Sequence, residues 1–320
     1  MTDENTPPTG VVLMAYGTPR HPDEVEAYYT DIRRGRPPTP EALADLVARY
    51  DAIGGISPLA VLTADQRNAL QGALDARAPG RFRVTLGLKH ADPKVEAGAA
   101  QLARSGVDAI VGLVLAPHYS SYSIGQYQQR VRDGVDQAGA SMPVVAIDSW
   151  ATEPAFIEFL GDDLRSRHEA MTSALAEAGD DRSIRVVFTA HSLPQRIIDE
   201  GDPYPDQLRS TAEAVADELR LTEGDDWMIG WQSAGRTPEP WIGPDILQVI
   251  DDLGADPTVG GVIICACGFV ADHLEVLYDL DIEARHRADD AGLLFDRTAC
   301  VNDDEDVMDA LARRVIDAVR

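Results

Sequence analysis

The chain has 320 residues, 44% of them hydrophobic, with a formal net charge of -26 and three cysteines. That apolar share supports a core and excludes wholesale disorder, and the length fits two ordinary domains or one large α/β unit. So acidic a composition excludes non-specific nucleic-acid binding and a polybasic membrane patch. No apolar run reaches the roughly 18–20 residues of a spanning helix. The first ten residues are polar and lack the basic and apolar regions of a signal peptide. Three cysteines make no disulfide framework, and an odd count favours a reducing compartment. A soluble cytoplasmic protein without a membrane anchor is expected. Lys89 and Lys94 are the only lysines; every other basic residue is arginine.

Short β-branched apolar runs alternate with longer amphipathic stretches. In chain order the pattern predicts a strand at 11–16, helices at 23–32, 40–50 and 63–76, and a strand at 84–88. A helix at 93–104, a strand at 109–115, a helix at 125–138 and a strand at 144–148 follow. Beyond residue 150 it predicts a helix at 153–175, a strand at 184–190, a helix at 206–220, and strands at 227–231 and 262–267. A helix at 271–285, a strand at 293–296 and a closing helix at 305–319 complete the chain. Apolar strands joined by crossover helices signal parallel sheets covered on both faces. The fold class is therefore α/β. Two lobes, residues 1–150 and 151–320, are expected, with the last helix free to pack back on the first lobe. Ligands of such folds sit beyond the carboxyl ends of the strands.

The first strand runs into Ala15-Tyr16-Gly17-Thr18-Pro19, a tight turn that leaves Tyr16 at the strand end, as a packed aromatic or as a cleft group. The fifth ends in Ala190-His191-Ser192-Leu193-Pro194, and an imidazole there is the natural proton acceptor. After the seventh come Asp272, Glu275, Asp279, Glu283 and His286, which fall within an arc of about 80° at about 100° per residue of helix. Val276, Leu280, Leu277, Leu274, Tyr278 and Ile282 fill the rest, so this helix should be largely buried and its acidic file is a poor solvated face. Stacked carboxylates beside an imidazole suit divalent cations. In the first lobe, Arg33-Arg34-Gly35-Arg36 forms a cationic turn, followed by Arg49 and Gly54-Gly55-Ile56-Ser57-Pro58. These residues are either ordinary surface arginines or an anion seat, with Ser57 as a helix cap beside free backbone N–H groups.

These segments resemble ferrochelatases. The resemblance rests on Tyr16–Pro19, Tyr28-Tyr29-Thr30-Asp31-Ile32-Arg33-Arg34-Gly35, Ile53-Gly54-Gly55-Ile56-Ser57-Pro58-Leu59, Gly87-Leu88-Lys89-His90 and Leu115-Ala116-Pro117-His118. It continues through His191–Pro194, Gly201-Asp202-Pro203-Tyr204, Gly230-Trp231-Gln232-Ser233, Trp241-Ile242-Gly243-Pro244-Asp245 and the stretch 268–283, in collinear order over nearly the whole chain. The length looks most like the soluble bacterial branch of that family, which uses coproporphyrin III. The resemblance implies two Rossmann-like lobes with the active-site cleft between them. It implies that His191 and Glu275 bind incoming Fe2+ and manage protons, and that Tyr16 ligates iron on the opposite porphyrin face. Arg33, Arg49, Ser57 and Tyr127 would hold propionates, with Arg34 as an addition. Asp279 and Glu283 would form an outer cation site open to Mg2+, and Trp231 would pack near the macrocycle or in the core.

Insertion requires removing two pyrrole protons and stripping water from the metal, and binding energy must deform the flat ring to expose its nitrogen lone pairs. A neutral imidazole is needed, so activity should fall as pH drops through the imidazole pKa. The expected partners are a porphyrin and ferrous iron, with no nucleic acid. The protein is expected to be a monomer with transient contacts to neighbouring haem-pathway enzymes. Protoporphyrin IX or cobalt insertion is the alternative activity, and a haem or metalloporphyrin carrier is the non-enzymatic one; four carboxylates demand more cations, so the arginine group favours the tetra-acid. Cys265, Cys267 and Cys300 are one short of the four thiolates of a [2Fe–2S] cluster. Residues 265 and 267, alternate on a strand, would share a face, but packing as small hydrophobes is the simpler reading.

Overall fold

Three strands, β1 (Thr9–Ala15), β3 (Ile110–Val114) and β7 (Val259–Cys265), are buried at every residue, as strands covered by helices on both faces must be. The computed structural model describes residues 7–235 and 237–320, so part of the polar N-terminal stretch lies outside the described residues. The chain divides into two units, Met1–Trp150 with Asn302–Arg320, and Ala151–Val301.

In the first unit β1 is followed by α1 (Val25–Ile32), α2 (Pro40–Ala52), α3 (Leu59–Arg77), β2 (Phe82–Leu88), α4 (Val95–Arg104), then β3, α5 (Ile124–Gln137) and β4 (Val144–Ile147). The strands pair in parallel in the order β2-β1-β3-β4. The second unit runs α6 (Pro154–Glu177), β5 (Ser183–His191), α7 (Gln195–Asp199), α8 (Tyr204–Leu219), β6 (Trp227–Gln232), α9 (Ile246–Ala255) and β7. Then come α10 (Leu274–Leu277), a π-helical segment (Asp279–Ala284), α11 (Arg285–Asp290) and β8 (Leu294–Arg297). Its strand order, β6-β5-β7-β8, repeats the first. In both sheets the first strand lies between the second and third, so the winding reverses beside it and opens the crevice where α/β sheets bind ligands. Tyr16 follows β1, and His191 ends β5.

The last helix, α12 (Glu305–Ala318), belongs to the first unit. It buries Val307, Met308, Leu311 and Val315 and receives Arg77 from α3 on Asp309 through two bonds of 2.5 Å. Arg314 reaches the Ser149 carbonyl at 3.0 Å, and Gln66 the Asn302 carbonyl at 2.8 Å.

The structure corrects the expected helix at 271–285. β7 stops at Cys265, and residues 266–273 form a loop held against β5, where the Gly268 N–H meets the Thr189 carbonyl at 3.0 Å. A Cβ on Gly268 would lie 2.4 Å from that of Ala190, so only glycine permits this approach. His273 is extended (φ -157°, ψ -177°), and the helix starts only at Leu274. Beyond Tyr278 the Glu283 N–H reaches back five residues to the Tyr278 carbonyl at 2.9 Å, the π pattern. A single 100° wheel therefore does not apply to the acidic file. Val276, Leu280, Ala284 and Ala288 do join the core, while His286 is exposed. Because Cys267 lies in the loop, Cys265 and Cys267 are not alternate residues of one strand. Helices α7 and α9 went unread, although α9 carries a clear signal: Asp245 caps Leu247 N at 2.9 Å, and Ile246, Val249, Ile250 and Leu253 are buried.

Candidate active site

In the second unit, β5 ends on His191 and the loop after β7 leads to Glu275. The His191 Nδ1 bonds the Ser192 carbonyl at 2.5 Å, which makes Nδ1 the protonated nitrogen and leaves Nε2 to act. That Nε2 lies 3.7 Å from Glu275 Oε1. On the other side of the same carboxylate, His273 Nε2 lies 3.6 Å from Oε2, with Nδ1 bonded to the Ala271 carbonyl at 2.9 Å. Glu275 is thus flanked by two imidazoles of matching tautomer. Burial lowers the His273 pKa, but the bond to Glu275 and its charge outweigh it and raise the ring above the ordinary imidazole value. His191 and Glu275 side chains are each about one-third exposed, so solvent and solute reach the pair.

Buried groups fix this spacing. Thr189, two residues before His191, donates to Gln232 Oε1 at 2.9 Å, and the amide of Gln232 then donates to the Glu275 carbonyl at 3.1 Å. Both are fully buried. Next to Gln232, Ser233 takes the left-handed backbone (φ 58°) and donates through Oγ to Asp279 Oδ2 at 2.5 Å. Tyr204 donates to the His191 carbonyl at 3.1 Å, and its ring lies 5.7 Å from that of buried Trp231. Arg297 pairs with Asp281 through both oxygens (2.7 and 2.8 Å) and with Asp272 at 3.0 Å, so these acids belong to an ion-pair cluster.

In the first unit Tyr16 is 42% exposed, with its ring 4.6 Å from that of His90. Arg33 caps α1 and lies over the Tyr29 ring, Arg49 in the last turn of α2 faces Asp45 at 3.5 Å, and Ser57 is buried just before α3. The Ser57 Oγ accepts from Leu59 N at 3.2 Å, although Pro58 holds the cap position expected for the serine. Tyr127 is buried in α5, beneath the ammonium of Lys89 at 5.3 Å from the ring centre.

A family profile described as ferrochelatase matches residues 8–319. A "Ferrochelatase" of Herpetosiphon aurantiacus is 42% identical over 303 residues, covering 95% of this chain and 96% of the relative. The chain belongs to the ferrochelatase family. A "Coproporphyrin III ferrochelatase" of Halalkalibacterium halodurans is also 42% identical, over 304 residues, 95% of this chain and 94% of that one. Among solved structures, the sirohydrochlorin chelatase SirB of Bacillus subtilis subspecies spizizenii in complex with cobalt shares the fold, with a TM-score of 0.53 at 9% identity over 97% of this chain and 95% of the other.

In this ferrochelatase-family chain the structure brings His191 and Glu275 together, as the sequence led one to expect. It sets Arg33, Arg49, Ser57 and Tyr127 on four elements of the first unit. Sequence reasoning missed His273, which a helical wheel turns about 200° away from Glu275; its extended backbone removes that rotation. It also missed the Thr189–Gln232 link, for which the Gly230–Ser233 motif was the available signal.

Proposed function

We propose that the chain inserts Fe2+ into coproporphyrin III. What supports this most is the His191–Glu275 pair. Metal–donor bonds of about 2.1 Å set two donors of one ion about 3–4 Å apart, and the observed 3.7 Å falls in that range. Among the described residues no group of three or more His, Cys, Asp or Glu is arranged to hold a metal. A two-donor site of this kind suits a cargo ion that must leave for the macrocycle.

His191, protonated at Nδ1, offers Nε2 to a pyrrole proton or to the metal. As an imidazolium it faces Glu275, which stabilises the transferred charge. Glu275, set between the two imidazoles, passes the proton on toward His273. Arg33, Arg49, Ser57 and Tyr127 bind porphyrin carboxylates, so that contacts remote from the ring nitrogens supply energy for deforming the ring. Tyr16, exposed after β1, ligates the product iron. Asp279 and Glu283 continue the acidic segment as an outer cation site for Mg2+, needing further ligands from water because Asp279 already accepts from Ser233.

The three thiols are free and buried, and burial raises Cys267 and Cys300 above the ordinary thiol pKa. This supports packing roles rather than cluster ligation. Free thiols fit a reducing, cytoplasmic compartment, where the chain acts as a monomer in transient contact with neighbouring haem-pathway enzymes. Among the described residues no helix is long and apolar enough to cross a membrane.

The test is iron insertion measured side by side with coproporphyrin III and protoporphyrin IX. The expected result is faster insertion into the tetra-acid and a loss of about 100-fold or more in His191→Ala. Near-normal turnover by that variant would remove His191 from the chemistry, and a preference for protoporphyrin IX would overturn the substrate.

A further inference from the structure

The segment that carries His273 and Glu275 does not hold its own shape. His273 is extended, α10 is a single turn, and a π-helical stretch follows it. So short a helix has no stability by itself, and its direction is imposed from outside. Gln232 restrains the Glu275 carbonyl at the middle of the segment, and Val276 and Leu280 pack into the core.

Arg297, the last residue of β8, reaches both ends. Its Nε and Nη2 donate to the two oxygens of Asp281 at 2.7 and 2.8 Å, and Nη2 also donates to Asp272 Oδ1 at 3.0 Å. Nη1 donates to the Thr298 carbonyl at 3.0 Å, so each nitrogen of the guanidinium is engaged. Asp272 immediately precedes His273, and Asp281 lies in the π-helical stretch. The Arg297 side chain is 14% exposed. Burial opposes its charge, but the bond to Asp281 and the Asp281 charge outweigh this and raise the guanidinium above its ordinary value.

The base of this side chain is rigid. Arg297 pairs with Ile264 of β7, and the Thr298 N–H meets the Ile264 carbonyl at 2.9 Å. One planar fork anchored on the sheet therefore spans residues 272–281, between which His273 and Glu275 stand. Neutralising one guanidinium takes one carboxylate; two, drawn from either side of Glu275, fix a geometry.

We infer that Arg297 is a positioning residue for Glu275, setting the distance of that carboxylate from His191 by holding its segment at both ends. The inference deepens the proposed function, on which it rests. Arg297 acts through the backbone between Asp272 and Asp281 rather than on the reacting atoms. Lysine in its place keeps the charge but loses the fork that grips Asp281 and Asp272 in one plane.

The experiment is steady-state iron insertion into coproporphyrin III by the full chain, for wild type, Arg297→Lys and Arg297→Ala. Rates are normalised to the folded fraction read by near-ultraviolet circular dichroism. Arg297→Ala is also assayed with methylguanidinium and, at the same concentration, with ammonium. Arg297→Lys should lose about tenfold to a hundredfold in kcat, with a raised KM for iron and an unchanged KM for porphyrin. Arg297→Ala should lose at least as much, and methylguanidinium should restore part of it where ammonium does not. A merely structural role would lower the folded fraction and leave kcat and the iron KM of the folded protein at wild-type values. That result, or equal rescue by the two cations, overturns the positioning role and leaves the proposed function intact. If Arg297→Ala does not fold, Arg297→Lys decides by the same two constants. Absence of insertion by the wild type overturns both.

Discussion

Replacing Gln232 with leucine tests whether the distance between His191 and Glu275 is set by buried hydrogen bonds. The side chains are close in size, but leucine leaves the Thr189 hydroxyl and the Glu275 carbonyl without the partners they have at 2.9 and 3.1 Å. Each buried orphan costs about 1–3 kcal/mol, so Gln232→Leu should lose about 2–6 kcal/mol of stability in urea denaturation. The backbone bond from Ser192 N to the Gln232 carbonyl, 2.8 Å long, survives, so β5 and β6 stay paired. Glu275 loses its tether, and a misplacement of about 1 Å costs about 100-fold in rate. Insertion should be followed by loss of porphyrin fluorescence at 10–15 °C, where the variant remains folded, with kcat and the KM for iron and porphyrin determined separately. The expected loss lies in kcat and in the KM for iron, with the porphyrin KM unchanged. Thr189→Val should repeat the defect more mildly, and the double variant should add less than the sum, because both residues serve one chain of bonds. A folded Gln232→Leu protein with wild-type kcat would refute the reasoning.

Arg297 neutralises Asp272 and Asp281, and Arg297→Met should cost about 3–5 kcal/mol in chemical denaturation by leaving two part-buried carboxylates facing each other; a change below 1 kcal/mol would show the cluster to be solvated. His118 is buried, which pulls its pKa from 6.5 down to about 3. Between those values only the unfolded chain binds this proton, so the stability present above pH 6.5 falls by about 1.4 kcal/mol per pH unit on acidification. In His118→Phe that slope should be shallower by this amount, read from denaturation midpoints at pH 7, 6 and 5. Lys89 gives the opposite window: its charged form is disfavoured in the folded state, so stability should rise between pH 8 and 10.5 in wild type and not in Lys89→Met.

The sheet strands were readable because β1, β3, β5 and β7 are nearly continuous apolar runs bounded by glycine and proline. The position of His191 was legible for a local reason: an imidazole at a strand's carboxyl end needs no tertiary information to be placed. The proximity of Glu275 to His191 was expected from a geometric premise that fails, since no single helix carries Asp272 through His286. Periodicity is silent on where a helix begins when the preceding loop is pinned from outside, as 266–273 is by Thr189 and Ala190. Gln232, Thr189 and the second imidazole depend on such pinning.

Packing of α12 against α3 ties the earliest part of the chain to the latest. During synthesis, α3 and β4 emerge long before Asp309 and Arg314 exist, so the first sheet must wait with an apolar flank uncovered while the whole second unit is translated. Ala151–Val301, a continuous stretch, is free to finish first. Ribosome-bound chains halted before residue 302 should therefore show protease resistance in the second unit and sensitivity in the first, reversing the usual order in which the leading domain matures ahead of the trailing one.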